Sequence, residues 1–447
     1  MSLDILQNQL QNLSVVDPEC LPFRPTGYFE RRHETFDAVP RYLFRVFTPK
    51  SQGKTDESWT KSMDARYEVA DSRVDIFARA NKQRTAEMLY RHLRWWKGPD
   101  DNLVSWTSSL LFALVYIFYL HANTRDGSTF GNIHLCVVDT SSFPEAVFLR
   151  DMDLIRAYRS FDSRLWNFEC LRCKRRSGFS GYYYFGEYLS QGALKIEGKC
   201  QIVSAQHIIL RGLHDIRPEF ARFENWEPQQ SPPWADAVIE LRETFFLTKT
   251  KQQEVSTEGE QQEICKKALN AAFDISRLFE SHWRLPIAAS FIALAPHRTD
   301  NKEILLKVRS REFTDNNREN CSPLRTKTVA YNTLPELQAY SVIMQSIYKD
   351  YCLGKLKGKP LLLKISHVTK ASTNAKSYTE FLGEAESPLR RTIMFKMNEN
   401  LDEEDPPWAE QVPTLIDVSY NAILSKLRTI SFLSDSLHQA LEHRKER

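Results

Sequence analysis

The sequence predicts an α+β protein with its strands gathered in the first half and a mainly helical second half. Short runs of large or β-branched side chains, at 41–47, 133–140 and 199–204, end before residue 220. Beyond that point apolar residues return at helical spacing, over 264–283, 335–353 and 418–443. With 447 residues, 42% of them hydrophobic and 26% charged, the chain can fill a sizeable core in two or three domains.

Residues 1–38 read as a lead-in broken by Pro18, Pro22 and Pro25. In the strand 41–47, Tyr42, Phe44 and Val46 share one face, and Leu43, Arg45 and Phe47 the other. Arg45 is thus a cation between apolar neighbours, which by itself fits a snorkelling edge residue. Residues 51–67 are polar and loop-like, 72–96 are amphipathic helix, and 98–102 are a turn. The Ser105, Thr107, Ser108 and Ser109 cluster precedes the apolar run 110–121, a helix N-cap signature. The uncharged stretch 102–122 is long enough to span a bilayer, but its hydroxyls, His121 and unbiased flanking charges favour a buried strand-to-helix element.

After the strand at 133–140 comes a basic, loop-like insertion at 160–180 that contains Cys170-Leu-Arg-Cys173. A lone Cys-x-x-Cys is weak support for zinc, and no metal site is expected. In the stretch 181–196, Tyr183, Phe185, Glu187 and Leu189 fall on one face of a strand. Glu187 then points toward a covered surface unless it sits at a sheet edge, and a covered acid needs a partner. Ser231-Pro-Pro-Trp234 marks a boundary, and 249–262 is a polar run. The expected divisions are a lead-in at 1–38, a mixed domain at 39–225, a linker at 226–262 and a mainly helical domain at 263–447. A further short strand is expected at 361–366 and a long terminal helix at 418–443.

Sixty basic and 57 acidic residues leave a net charge of +3, so no global field favours nucleic acid. Eight cysteines over this length form no disulfide framework, and the first residues have no signal-peptide pattern. A cytoplasmic or nuclear chain with reduced thiols and no membrane partner is expected. The sequence has no Gly-rich phosphate loop, no His-Glu-x-x-His and no nucleophile elbow.

Arg45, the Ser105/Thr107 hydroxyls and Glu187 stand in the order found in mono-ADP-ribosyltransferases. Leu43-Phe-Arg45 resembles that family's opening strand, in the Arg–Ser–Glu branch of the cholera and heat-labile enterotoxin A chains. Ser105-Trp-Thr-Ser108 resembles its Ser-Thr-Ser strand end with one residue more, and 187–196 its Glu strand followed by a small-residue turn. The stretch 147–158 is also similar to one that follows the central strand in that branch. The 40–220 region is similar, too, to an uncharacterised domain family of filamentous fungi, which brings no established activity.

The enterotoxin resemblance implies a split, strongly twisted two-sheet ADP-ribosyltransferase-like domain followed by a mainly α-helical one. It implies NAD as a substrate, with Glu187 and Ser105 catalytic and Arg45, Thr107, Tyr183 and Phe185 holding the dinucleotide. Cleaving the nicotinamide–ribose bond builds positive charge on the ribose, which a preorganised carboxylate supports. Arg45 offers fixed donors to a phosphate or ribose. Either Ser105 or Thr107 supplies the hydroxyl that positions Glu187. Arginine-modifying relatives carry a second Glu or Gln two residues before the catalytic Glu, where this chain has Phe185. The expected acceptor is therefore another side chain, a nucleic acid, a small molecule or water, with no nucleic-acid partner indicated by the charge. The alternative is a catalytically inactive relative of that fold serving as an interaction or binding module.

Overall fold

Alternation of apolar side chains organises the sheets as the sequence spacing requires. The computed structural model describes residues 19–29, 39–176, 179–180, 183–251, 258–295, 302–311 and 334–358. The chain divides into two compact units, Met1–Tyr351 and Cys352–Arg447, and nearly all described residues belong to the first. The expected strand at 361–366 and helix at 418–443 lie outside the described residues.

The strands in chain order are β1 (Tyr42–Phe47), β2 (Lys54–Thr55), β3 (Trp59–Lys61), β4 (Leu103–Thr107), β5 (His134–Asp139) and β6 (Leu149–Arg150). They continue with β7 (Arg175–Arg176), β8 (Phe179–Ser180), β9 (Glu187–Gln191), β10 (Ala193–Lys195) and β11 (Cys200–Ser204). One sheet has six strands in the order β11-β5-β1-β4-β9-β6, with every pair antiparallel. A second has three, β10-β3-β2, and β7 pairs only with β8. The chain passes from β9 in the large sheet to β10 in the small one through Gly192. Its φ of +65° suits glycine, and an added Cβ would lie 2.7 Å from the Ser72 carbonyl oxygen.

The longer helices are α1 (Lys82–Leu93), α2 (Leu110–Ala122), α3 (Asp151–Tyr158), α4 (Ser163–Cys173) and α5 (Trp234–Lys251). They are followed by α6 (Glu258–Ser276), α7 (Ser281–Ile292), α8 (Lys302–Arg311) and α9 (Pro335–Gly358). Tyr42, Phe44, Leu135 and Val137 face the core formed with α2, α5, α6 and α7. Leu43, Cys136 and Val138 point the other way, into a smaller cluster with Trp106, Tyr188 and Leu194. That alternation follows the faces read for residues 41–47. Strand and helix content together make the protein α+β.

Several local expectations change. The polar stretch 51–67 holds β2, β3 and the short helix Met63–Arg66, and the basic insertion at 160–180 holds α4 as well as β7 and β8. The region 226–262 is not a plain linker: α5 buries Val238 and Leu241 in the same core as α2. Polar flanks mask that helix in the sequence, whereas packing on an apolar neighbour stabilises it. Helix α6 ends at Ser276, short of the 283 read from the spacing, and Pro286 lies within α7. No helix among the described residues is long and apolar enough to cross a membrane. Helix α2, the most apolar stretch, has 13 residues.

Candidate functional site

Strand β1 pairs with β5 along its whole length, from Tyr42↔Asp139 to Phe47↔His134. It meets β4 at one register position, Phe44↔Thr107. Residues of both splayed strands line a cavity of about 880 Å³, to which the 50–53 loop, α2 and Glu187 also contribute. Arg45 bridges the splay, donating from Nη1 to the Ser105 carbonyl at 2.9 Å and from Nε to Thr55 Oγ1 at 3.1 Å. Burial pulls its pKa below the ordinary arginine value.

Strand β4 pairs with β9, with Thr107 opposite Glu187 and Ser105 opposite Leu189. Ser105 and Glu187 are therefore diagonal neighbours on one face. Ser105 Oγ donates to Glu187 Oε1 at 2.9 Å. Glu187 Oε2 accepts from Arg172 Nη2 at 2.6 Å, and the residue is only 8% exposed. The covered acid read from the sequence thus has its partners.

Of the two candidate hydroxyls, Ser105 is the one on Glu187. Thr107 Oγ1 donates to the Phe185 carbonyl at 2.7 Å and accepts from Ser109 N at 3.0 Å, so it closes the strand-to-helix joint. Ser109 in turn caps α2, accepting from Phe112 N at 3.0 Å. The capping signature and the site hydroxyl are separate members of one cluster.

Tyr183 and Phe185 are not on the Glu187 face, because β9 begins only at Glu187. Gly186, with φ of +72°, turns the chain just before it, and an added Cβ would sit 2.4 Å from Ser108 Oγ. Phe185 is driven into the large core, 4.9 Å from Trp234 and 5.5 Å from Phe112 between ring centroids. The Tyr183 ring lies 5.8 Å from Lys174 Nζ. Neither residue, expected from the resemblance to hold a dinucleotide, is among those lining the cavity.

Four further residues complete the site. His92 Nε2 lies 2.9 Å from Ser105 Oγ, and its Nδ1 lies 2.9 Å from Asp101. Burial disfavours the imidazolium, but Asp101 and Glu187 outweigh it and the His92 pKa is raised. In that protonated form His92 donates to Asp101 and to Ser105, and Ser105 passes its own hydrogen to Glu187. On the other side, Arg172 Nη2 lies 3.1 Å from the buried Asp151. Helical spacing could have found both basic residues. His92 follows buried Thr85, Met88 and Leu89 on α1, and Arg172 follows Leu165 and Phe168 on α4. Asp101 and Asp151 carry no such signal.

The cavity rim bears Lys50, Lys61, Lys97 and Arg125, and its wall includes Trp95, Tyr116 and Tyr119. Tyr116 stacks on Tyr119 at 5.3 Å and meets Trp95 at 5.0 Å. Cations with flat aromatic faces suit an anionic ligand that carries rings. Among the described residues no group of three or more His, Cys, Asp or Glu could hold a metal ion. Cys170 and Cys173 are exposed free thiols.

Residues 38–196 match a family described as a domain of unknown function (DUF7587). The matched stretch runs from just before β1 to just after β10 and includes Arg45, His92, Asp101, Ser105, Asp151, Arg172 and Glu187. No curated protein and no solved structure matches the chain.

Proposed function

We propose that this chain is a NAD-dependent mono-ADP-ribosyltransferase or NAD glycohydrolase of intracellular type, cytoplasmic or nuclear, built on residues 39–225. The supporting observation is convergence. Arg45, Ser105 and Glu187 border one cavity although 60 residues separate the first two and 82 the last two. The cavity is within the usual ligand-pocket range of about 300–1,000 Å³. Arg45 and the rim cations suit a diphosphate, and the Trp95–Tyr116–Tyr119 wall suits planar rings.

In this reading the bond from the nicotinamide nitrogen to ribose C1′ breaks, and its electron pair leaves with nicotinamide. The acceptor atom bonds to C1′ and releases its proton. Glu187 supports the positive charge that builds on the ribose, with its carboxylate aimed by Ser105. His92, held by Asp101, orders the Ser105 hydroxyl. Phe185, buried in the core, offers nothing to orient a guanidinium, so the acceptor is a side chain other than arginine, a small molecule or water.

Nicotinamide release from millimolar NAD by purified protein tests this reading. Release supports it, and no release together with no thermal stabilisation by NAD rejects it. One observation favours the second reading, an inactive binding or interaction module: both Glu187 oxygens are already engaged. Stabilisation by NAD without release would select that module.

A further inference from the structure

The basic stretch 170–176 reads as a solvated loop, yet one of its residues is interior. Arg172 lies in the last turn of α4, seven residues after Leu165 and four after Phe168, on the helix's buried stripe. It is 6% exposed, and its guanidinium carbon is 4.9 Å from the Phe168 ring centroid. Its Nη2 reaches two carboxylates, Glu187 Oε2 at 2.6 Å and Asp151 Oδ2 at 3.1 Å. Asp151, the first residue of α3, is fully buried.

We infer that Arg172 is a positioning residue for Glu187, and that Asp151 sets how much of its charge Glu187 receives. The inference rests on the NAD reading of the cleft. Ser105 holds one carboxylate oxygen and Arg172 the other, so the side chain has one orientation. A carboxylate meant to support positive charge on a ribose must be fixed without being fully neutralised. An arginine shared with a second carboxylate does that.

The sharing is pH-dependent. Burial pushes the Asp151 carboxyl up to about 7, with Arg172 pulling it down and Glu187 pushing it further up. Among the described residues, Arg150 on β6, Tyr184 before β9 and His92 beyond Ser105 also face this cluster. Above that pH Asp151 is ionised and takes part of Arg172, leaving Glu187 more of its negative charge. Below it Asp151 is neutral and Arg172 belongs to Glu187 alone.

Nicotinamide release by wild-type protein is therefore expected to rise as pH passes through about 7. In Asp151→Asn the rise disappears, and release at pH 8 falls to the level the wild type shows at low pH. In Arg172→Met two carboxylates face each other unpaired, and release at neutral pH falls about 10²-fold, as expected for a displaced reacting group. Part of it returns at higher pH, which a purely structural defect would not produce. Arg172→Lys keeps the charge without the planar fork and lies between the two. An active wild type whose Arg172→Lys and Asp151→Asn variants keep its kcat, KM and pH profile overturns this inference alone. A wild type that releases no nicotinamide overturns the NAD reading and this inference with it. Should Arg172→Met fail to fold, the near-isosteric Asp151→Asn still decides the matter.

Discussion

Two serine–glutamate–arginine clusters flank the joint between β4 and α2, and only one borders the cavity. At the first, Ser105 and Arg172 hold Glu187. At the second, Ser109 donates to Glu336 on α9, and Arg242 on α5 pairs with the same carboxylate at 2.7 Å. The side chains are chemically alike, but the surroundings differ. Glu336 is 3% exposed, lines no part of the cavity and has a wholly buried arginine. Arg242 also donates to the Tyr184 carbonyl at 2.6 Å, three residues before Glu187. The sealed cluster holds the backbone that leads into β9, and the open one faces the ligand space. Access, not composition, separates a structural ion pair from a candidate reactive one.

By that contrast the two glutamates respond oppositely to substitution. Glu336→Ala leaves Arg242 charged, buried and unpaired, with an expected stability loss of about 3–5 kcal/mol in urea or thermal unfolding. Glu187→Gln costs less stability, because Arg172 keeps Asp151, but lowers nicotinamide release by about 10²–10³-fold. Equal stability losses at the two sites would break the comparison.

The serines sharpen it at smaller scale. Ser105→Ala removes a hydrogen bond to a carboxylate and is expected to slow release by roughly 10-fold or more, the equivalent of about 1.5–3 kcal/mol. Ser109→Ala loses the α2 cap, about 1 kcal/mol of stability, and also its bond to Glu336. Release per folded molecule should hardly change. Steady-state kinetics beside unfolding curves separates the two effects.

A further effect is on the pH dependence of stability. The folded-state Asp151 carboxyl is raised from 3.8 to about 7, so over that window the folded state holds more protons than the unfolded state. Its contribution is full below about 4 and is lost as pH rises through about 7. Asp151→Asn should flatten this fall and stabilise the protein at pH 8 relative to wild type, as seen in melting temperatures across pH.

The contrast also explains what the sequence could and could not reveal. Arg45 and Glu187 were legible because a charge among apolar strand neighbours stands out at period two, whereas Ser105 showed locally only as part of a capping cluster and its site role came from the resemblance. The faces of residues 41–47 follow directly from that alternation. Phe185 was misplaced because one left-handed glycine, Gly186, ends the alternation where the sequence shows an unbroken aromatic run. Arg172 was hidden by its neighbours: Lys174, Arg175 and Arg176 make the stretch look solvated although its helical stripe is apolar. Glu336 and Arg242 are 94 residues apart, and nothing local announces a long-range ion pair. The helix α5 was lost for the same reason, since its stability comes from Val238 and Leu241 meeting α2 in space.

The most direct test of the account is nicotinamide release measured side by side for the wild type, Glu187→Gln and Glu336→Gln, each normalised to folded protein. Release is expected from the wild type and from Glu336→Gln, and near-abolition in Glu187→Gln. Release that survives in Glu187→Gln, or that is lost equally in both variants, would contradict it.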